Sequence, residues 1–512
     1  MHIERDVAVP TRDGSPIVVD VLRPEGTGPF PVITSISPYG KDVHWPDRYP
    51  LYELVANHEN MVWETPDPAW WVERGYALVR ADTRGTGKSP GRLDLFGRRD
   101  AEDFYDVIEW AADQPWSNGK VATSGISWLA QMGWRVAALQ PPHLAAVVAW
   151  EGATDFYREL VYQGGLYANS FIDFWWARQI EPQRNGPDGD DWRDELPRHP
   201  LIDDYHRERT VDLEQVTVPV LSAANWGALH VHLRGNIEGW RRAASRDKWL
   251  VVHTGTHVDP YYADWAQELQ LRFLDRYLKG RTDRMDGVAP VRLAIRRGRE
   301  TTWRDATDFP LPGTSYRELY LGEQTLDWTP PAQATSITYP AAFDTAPATE
   351  TLELTGPIAL RLWISADQDD LDVLARIEHL DADGNPIPGI GPQGGPVPMT
   401  MGWLKASHRA VDVERSTPSR PWHPHDRAIP LPAGEPTRLE VEIWPTSITI
   451  GPGERLRLAL VAGDSDLGVL AHDHPTLHRP ASGATLHLGG PKPAHLLVPV
   501  IAPPDPSRAR AN

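Results

Sequence analysis

The chain has 512 residues, which at roughly 100–200 residues per domain corresponds to two to four domains. Its 41% hydrophobic and 24% charged content is ordinary for a globular chain with a sizeable core, and excludes disorder, collagen or coiled coil as the overall state. There is no cysteine, which rules out a disulfide framework, a thiolate metal site and a cysteine nucleophile, and the formal net charge of −19 argues against nucleic acid or an anionic membrane surface as partner. Of the 51 basic residues 44 are Arg, a bias we attribute to codon usage. The chain starts Met1-His2-Ile3-Glu4-Arg5-Asp6 without an apolar run, so neither a signal peptide nor a membrane span is expected, and the default is a soluble cytoplasmic protein. The 49 prolines imply many loops and edge strands, and the 22 tryptophans suggest aromatic-walled pockets as well as core filling.

From about residue 30 to 150 short apolar runs alternate with helical stretches. Pro31–Ser35 and Tyr76–Arg80 read as buried strands, and Asp100–Ala112 as a helix with Phe104, Val107, Ile108 and Ala111 on one face. Val121–Ser124 is a short strand, Trp128–Leu139 a helix and Leu144–Trp150 a strand. Strands alternating with helices predict a mostly parallel sheet covered on both faces, an α/β fold. The rhythm stops over residues 155–213, a segment rich in Trp, Tyr, Arg and Asp that reads as a largely helical insertion. It resumes with the strand Val218–Ala223, a helix near Leu233–Ala244, the strand Lys248–His253 and a helix over Tyr261–Leu278. Beyond Lys279-Gly280, period-two alternation dominates (Thr351–Leu354, Ile358–Ile364, Leu439–Ile443, Leu456–Leu460), which predicts an antiparallel sandwich or jelly roll. The expected division is therefore 1–154 and 214–284 for the α/β domain, 155–213 for the insertion and 285–512 for the β domain, with a disordered tail over the last dozen residues.

The sharpest local feature is Ser124-Gly125-Ile126-Ser127-Trp128, between a strand and a helix. A glycine two before a serine at such a turn matches a nucleophile elbow, in which a sharp bend lifts the hydroxyl above the sheet edge. The match is partial, because Leu129 stands where a second small residue is usual, and Gly-x-Ser alone also occurs in plain turns. A serine nucleophile needs a base from a loop after a later strand. His257 occupies that slot, 130 residues downstream, with His253 as its nearer rival.

Several motifs together resemble a known family. Ser37-Pro38-Tyr39-Gly40-Lys41, Gly75-Tyr76-Ala77-Leu78-Val79, Asp82-Thr83-Arg84-Gly85-Thr86-Gly87-Lys88-Ser89, Asp100-Ala101-Glu102-Asp103, the elbow and Ser407-His408-Arg409 resemble the cocaine-esterase/X-prolyl dipeptidyl-peptidase family of α/β-hydrolases, in the same order along nearly the whole chain. The resemblance implies an α/β-hydrolase domain, a helical cap between its sixth and seventh strands and a C-terminal jelly roll. It implies Ser127 as nucleophile and His257 as base, with the backbone N–H of Trp128 and the hydroxyl of Tyr39 as oxyanion donors.

The resemblance breaks at the third triad member. In Ala224-Asn225-Trp226-Gly227-Ala228, Ala228 stands where the family carries its aspartate. Three alternatives stay open: the acid is Glu151 at the end of the sixth strand, or Glu238 twelve residues past Trp226, or the chain is a pseudoenzyme or an enzyme of altered chemistry. Asp155, Asp82 and Arg84 are expected to be structural. The pairs His230/His232, His423/His425 and His472/His474 lack a clear third ligand and read as solvated histidines, so no metal and no cofactor is expected. Trp150, Trp175, Trp176 and Trp226 are the expected substrate-binding aromatics. The leading expectation is a serine hydrolase of small-molecule esters, or amides, acting through an acyl-enzyme. An X-prolyl dipeptidyl peptidase, an α-amino-acid ester hydrolase and a catalytically inactive binding module with a tryptophan-lined cleft are the alternatives, and a homo-oligomer is compatible with the sequence.

Overall fold

A computed structural model describes residues 1–48, 59–298, 300–481 and 483–502. From residue 503 the tail expected at the C-terminus lies outside the described residues. The chain divides into two units, the first made of residues 1–160, 171–199 and 204–289, the second of 161–170, 200–203 and 290–512.

The first unit is built on eight strands: β1 (His2–Pro10), β2 (Pro16–Arg23), β3 (Phe30–Ser37), β4 (Ala77–Asp82), β5 (Ser117–Ile126), β6 (Leu144–Trp150), β7 (Val220–Asn225) and β8 (Lys248–His253). Their spatial order is β1-β2-β4-β3-β5-β6-β7-β8; β2 runs antiparallel to β1 and β4, and the six strands from β4 to β8 are parallel. The parallel strands are apolar runs for a physical reason. Every residue of β4 is buried and all but one of β6, as both faces of a parallel sheet are covered. The covering helices include α1 (Arg98–Ala112), which buries Phe104, Val107, Ile108 and Ala111, and α2 (Trp128–Ala138), which is buried from Trp128 through Ala137. The helix expected over Tyr261–Leu278 is two pieces, Asp259–Tyr262 and Asp264–Leu278, because Ala263 adopts an extended conformation between them.

The segment between β6 and β7 is made of short pieces, mostly helical (Phe156–Val161, Asn169–Trp175, Trp176–Ile180, Trp192–Glu195 and Asp204–Arg209 among them), with a two-stranded hairpin of Tyr162–Gln163 and Leu166–Tyr167. Its residues 161–170 and 200–203 belong with the second unit. They are tied there by backbone hydrogen bonds, Lys405 N–H to the Gly164 carbonyl and Ile202 N–H to the His425 carbonyl, both 2.8 Å.

The second unit is β-rich. Two 14-residue strands, Leu352–Ser365 and Thr437–Ile450, pair antiparallel, and Asp372–Leu380 pairs antiparallel with both Thr400–Lys405 and Arg455–Val461. Arg455–Val461 alternates buried and half-buried residues along its length, as period-two patterning requires. Its inward side chains join a core that includes Leu360, Leu362, Val441, Ile443, Leu456 and Leu458. Ser407, from the family-like Ser-His-Arg run, donates from both N–H and hydroxyl to Asp370 at 2.8 Å.

Candidate active site

Five of the parallel strands of the first unit carry the candidate residues at their C-terminal ends. Ser127 follows β5, Glu151 follows β6, Asn225 ends β7, His253 ends β8 with His257 four residues beyond, and Tyr39 follows β3. Such an edge is where open α/β sheets place their sites, since loops from neighbouring strands converge there.

Ser127 sits at φ 56°, ψ −115°, at the N-terminus of α2, with its N–H donating to the Trp150 carbonyl at 2.9 Å. A left-handed serine directly after a strand is the strained turn that raises a hydroxyl off the sheet. Gly125 is required by crowding: a Cβ there would lie 2.6 Å from Leu129 Cβ and 3.1 Å from the Glu64 carbonyl oxygen. Leu129, the departure from the usual small residue, is thus accommodated by the glycine opposite it.

Ser127 opens onto a small pocket lined by Tyr39, Phe96, Trp128, Gln131, Leu160, Phe171, Trp175 and Val231, with a cavity volume of about 10 Å³. Phe96 stacks on Trp128 with centroids 3.9 Å apart, and Trp128 on Trp175 at 5.7 Å. The Trp175 indole N–H donates to the Tyr39 hydroxyl oxygen at 3.1 Å. Of the other tryptophans expected at the substrate, Trp150 packs on His253, Tyr261 and Trp265, Trp176 packs against Trp175 and Trp192, and Trp226 is fully buried. None of these three is among the residues that line the pocket.

His257 is brought to Glu151: its Nδ1 lies 2.8 Å from Glu151 Oε2. Glu151 is fully buried at φ 48°, and its other oxygen accepts from the Asn225 side-chain amide at 3.1 Å. Asn225 also donates to the Gly255 carbonyl at 3.0 Å and accepts from the Gly227 N–H at 2.9 Å, so one amide ties the carboxylate to the loop that carries His257. Glu238 instead pairs with Arg241 at 2.9 Å, one turn along its own helix. His253 reaches only 3.5 Å from Glu151 Oε1, and burial holds it down to about 4.

Sequence reasoning missed Glu64. Its Oε1 lies 3.1 Å from His257 Nε2, so the ring carries a carboxylate on each nitrogen. No hydrogen bond joins Ser127 to His257 among the described residues. Burial alone would lower the His257 pKa, but Glu151 and then Glu64 outweigh it and push the group up to about 10. Burial also raises the Glu64 carboxyl, against the opposing pull of His257. Both shifts point the same way: the cluster retains protons. His232 stacks on the His257 ring, centroids 5.0 Å apart and 10° from parallel, and burial keeps it neutral. No motif announces Glu64; the only signal was an acid beside a tryptophan in Val62-Trp63-Glu64-Thr65.

The histidine pairs correct another expectation. His230, His232, His423, His425 and His472 are buried and only His474 is partly exposed, because they pack as aromatic rings and bond inside the fold. His423, for example, spans the carbonyls of Ala410 and Glu440 at 2.9 and 2.7 Å. Asp155 pairs with Arg158 at 2.7 Å, and Arg84 with Asp103 at 2.6 Å. Asp82 accepts from the N–H groups of Lys41 and Lys88 at 2.7 and 2.9 Å, pinning the loop that bears Tyr39.

A family model described as X-Pro dipeptidyl-peptidase (S15 family) matches residues 13–259, and one described as X-Pro dipeptidyl-peptidase C-terminal non-catalytic domain matches residues 284–497. The chain is 24% identical to cocaine esterase of Rhodococcus sp. (strain MB1 Bresler), over 98% of each chain. It is equally 24% identical to the putative serine esterase Mb1866c of Mycobacterium bovis, over 92% of each. Among solved structures, the CocE/NonD family hydrolase SACOL2612 of Staphylococcus aureus superposes with a TM-score of 0.90 at 34% identity, covering 98% of this chain and 94% of that one. An α-amino acid ester hydrolase shares the fold, with a TM-score of 0.73 at 18% identity.

Proposed function

The chain belongs to the CocE/NonD family of hydrolases, and on that premise we propose that it cleaves carboxylic esters through an acyl-enzyme on Ser127, with His257 as base and Glu151 as the triad acid. The observation that carries this reading is the 2.8 Å contact between His257 Nδ1 and Glu151, set beside a strained serine at the start of α2. The family's acid position has been vacated in favour of a neighbouring strand end: β6 runs beside β7, so a carboxylate after β6 reaches the same imidazole.

Ser127 Oγ attacks the ester carbonyl while its proton passes to His257 Nε2, and Glu151 holds the opposite N–H and stabilises the imidazolium. The oxygen that becomes negative is held by the Trp128 N–H and the Tyr39 hydroxyl. Trp175 assists there: its N–H binds the Tyr39 oxygen, so the Tyr39 hydrogen is left to point elsewhere and becomes more acidic. The imidazolium then protonates the departing alkoxide, and water, deprotonated in turn by His257, releases the acid and restores Ser127.

Trp128 and Trp175 wall the acyl pocket, with Trp176 packed against Trp175. No carboxylate is among the pocket's lining residues, and of the insertion's acids Glu181 and Asp191 pair with Arg193 and Asp190 with Arg92. An α-ammonium on an acyl group seated in this pocket would find no counter-charge among the lining residues, which favours a short, uncharged acyl group over the aminopeptidase and α-amino-acid ester readings. The binding-module alternative finds no support among relatives that are named as esterases and hydrolases. We take residues 155–213 as a cap inserted into the hydrolase domain (1–154 and 214–284) and 285–512 as a jelly roll, a division supported by the family matches ending at 259 and starting at 284.

The test is labelling with a fluorophosphonate and mapping of the adduct, together with turnover of p-nitrophenyl acetate and butyrate. The expected result is an adduct on Ser127 and loss of turnover in Ser127→Ala. Equal turnover by the variant would reject the reading.

A further inference from the structure

Glu64 has no part in the triad, yet it holds the ring nitrogen the triad needs. Its Oε1 sits 3.1 Å from His257 Nε2 while Glu151 occupies Nδ1 at 2.8 Å. With an acceptor on both sides the ring donates twice and is an imidazolium, which has no lone pair for the Ser127 proton. Nor is Glu64 a surface acid that happens to lean inward: its side chain is 3% exposed. Its carbonyl accepts the Ile126 N–H at 3.1 Å, one residue before the nucleophile, so its backbone is tied to the elbow. Its φ of 65° is left-handed, a conformation that costs a non-glycine residue about 1–3 kcal/mol and persists only where the surroundings impose it. Glu64 and Glu151, the two left-handed residues at φ 65° and 48° on either side of the imidazole, are tied to the elbow by the Ile126–Glu64 and Ser127–Trp150 backbone bonds, and Ser127 is itself left-handed at φ 56°.

We propose that Glu64 is a positioning residue for the base, holding His257 Nε2 in its protonated form in the free protein, so that the ring must lose that proton to solvent before it can serve Ser127. This rests on the reading of Ser127 and His257 given above. The step is a plain proton loss: the Nε2 proton leaves to water or hydroxide, the bond from Nε2 to Glu64 Oε1 breaks while Glu64 stays a carboxylate, and the ring is left neutral with Nδ1–H on Glu151. Nε2 now has the lone pair that accepts the Ser127 proton as its oxygen attacks. Glu151 and then Glu64 push His257 up to about 10, so the ring keeps that proton at neutral pH. The remaining groups facing the ring do not compete for the proton: His232, stacked at 5.0 Å, and His253, 3.5 Å from Glu151, are neutral. Asp259 on the same loop is engaged by Thr256 at 2.7 Å, and Tyr262 donates to the Thr65 carbonyl at 2.8 Å.

The test is the rate of fluorophosphonate labelling of the full chain from about pH 5 to about pH 10, in wild type, Glu64→Gln, Glu64→Asp and Ser127→Ala. The wild-type rate is expected to rise along a limb centred well above the ordinary histidine range. In Glu64→Gln, which keeps the size but not the charge, the midpoint falls by at least about one unit and labelling at neutral pH quickens about tenfold. Glu64→Asp, with its oxygen withdrawn, falls between the two, and carries the comparison should the glutamine variant not fold. A wild-type midpoint near 6.5, coincident midpoints, or slower labelling at every pH without a shift would each overturn the proposal. If Ser127→Ala still turns over ester, the nucleophile assignment fails and this inference with it; if Ser127→Ala is dead and the midpoints coincide, Glu64 alone has been misread.

Discussion

His257 Nδ1 rests on a carboxylate that is itself held by Asn225, and that chain of contacts sets how the base is aimed. Glu151→Gln keeps the shape and removes the charge, so kcat for p-nitrophenyl butyrate is expected to drop by about 10²–10⁴ with KM little changed. A fall smaller than about tenfold would show that Glu151 is not the triad acid. Asn225→Ala removes one bond to a buried carboxylate, worth about 1.5–3 kcal/mol, and is expected to lower kcat about tenfold or more. The same cluster makes stability depend on pH. The folded pKa of His257, about 10, lies above its value of 6.5 in an unfolded chain. The stabilisation is therefore complete below about pH 6.5 and is lost as pH rises through about 10. Thermal midpoints of the wild type should decline over that window more steeply than those of His257→Gln, and parallel declines would count against the ion-paired ring.

Among elements, the elbow and the loop after β3 carry the most constraint. A methyl group at position 125 would press on Leu129 and on the Glu64 carbonyl, so Gly125→Ala is expected to destabilise by about 1–3 kcal/mol, read as a lower thermal midpoint, and to slow Ser127 labelling. On the proposed role of Tyr39 as an oxyanion donor, Tyr39→Phe should cost about 10²–10³ in kcat, while Trp175→Phe, which keeps an aromatic wall but not the N–H, should cost far less. How much of this was legible follows from where each signal lies. The central strands and α1 and α2 are near-continuous or one-faced apolar runs, and their limits match those read from the pattern to within a few residues. The hairpin of β1 and β2 was not anticipated, since β1 lies at the edge and mixes Glu4, Arg5 and Asp6 into its alternation. Chain order and spacing nominate Ser127 and His257, each tied to a strand end, whereas Glu151 is one of three alternatives because Ala228 stands where the family carries its aspartate. Asn225 was read only as part of a broken acid loop, and Glu64 not at all: their importance comes from strand adjacency and a backbone bond across more than sixty residues, which no local pattern encodes.

At the scale of the whole molecule the net charge of −19 becomes a kinetic quantity. No helix among the described residues is long and apolar enough to cross a membrane. Most of the net charge is too distant to matter at physiological salt, where the screening length is about 8 Å; at 0.01 M it is about 30 Å and the whole surface contributes. The site adds to the same sign, since Glu64, His257 and Glu151 together carry one net negative charge when both carboxylates flank an imidazolium. Cationic solutes should therefore arrive faster than neutral ones of equal size, and only at low ionic strength. The pocket beside Ser127 offers no carboxylate, so the advantage belongs to a cationic alcohol part rather than to the acyl part. The expected outcome is that kcat/KM for an acetate ester of a trimethylammonium alcohol exceeds that for its uncharged tert-butyl analogue at about 0.01 M salt, with the ratio falling toward its high-salt value by about 0.15 M. A ratio indifferent to salt would mean that the charge lies too far from the approach to Ser127 to steer anything.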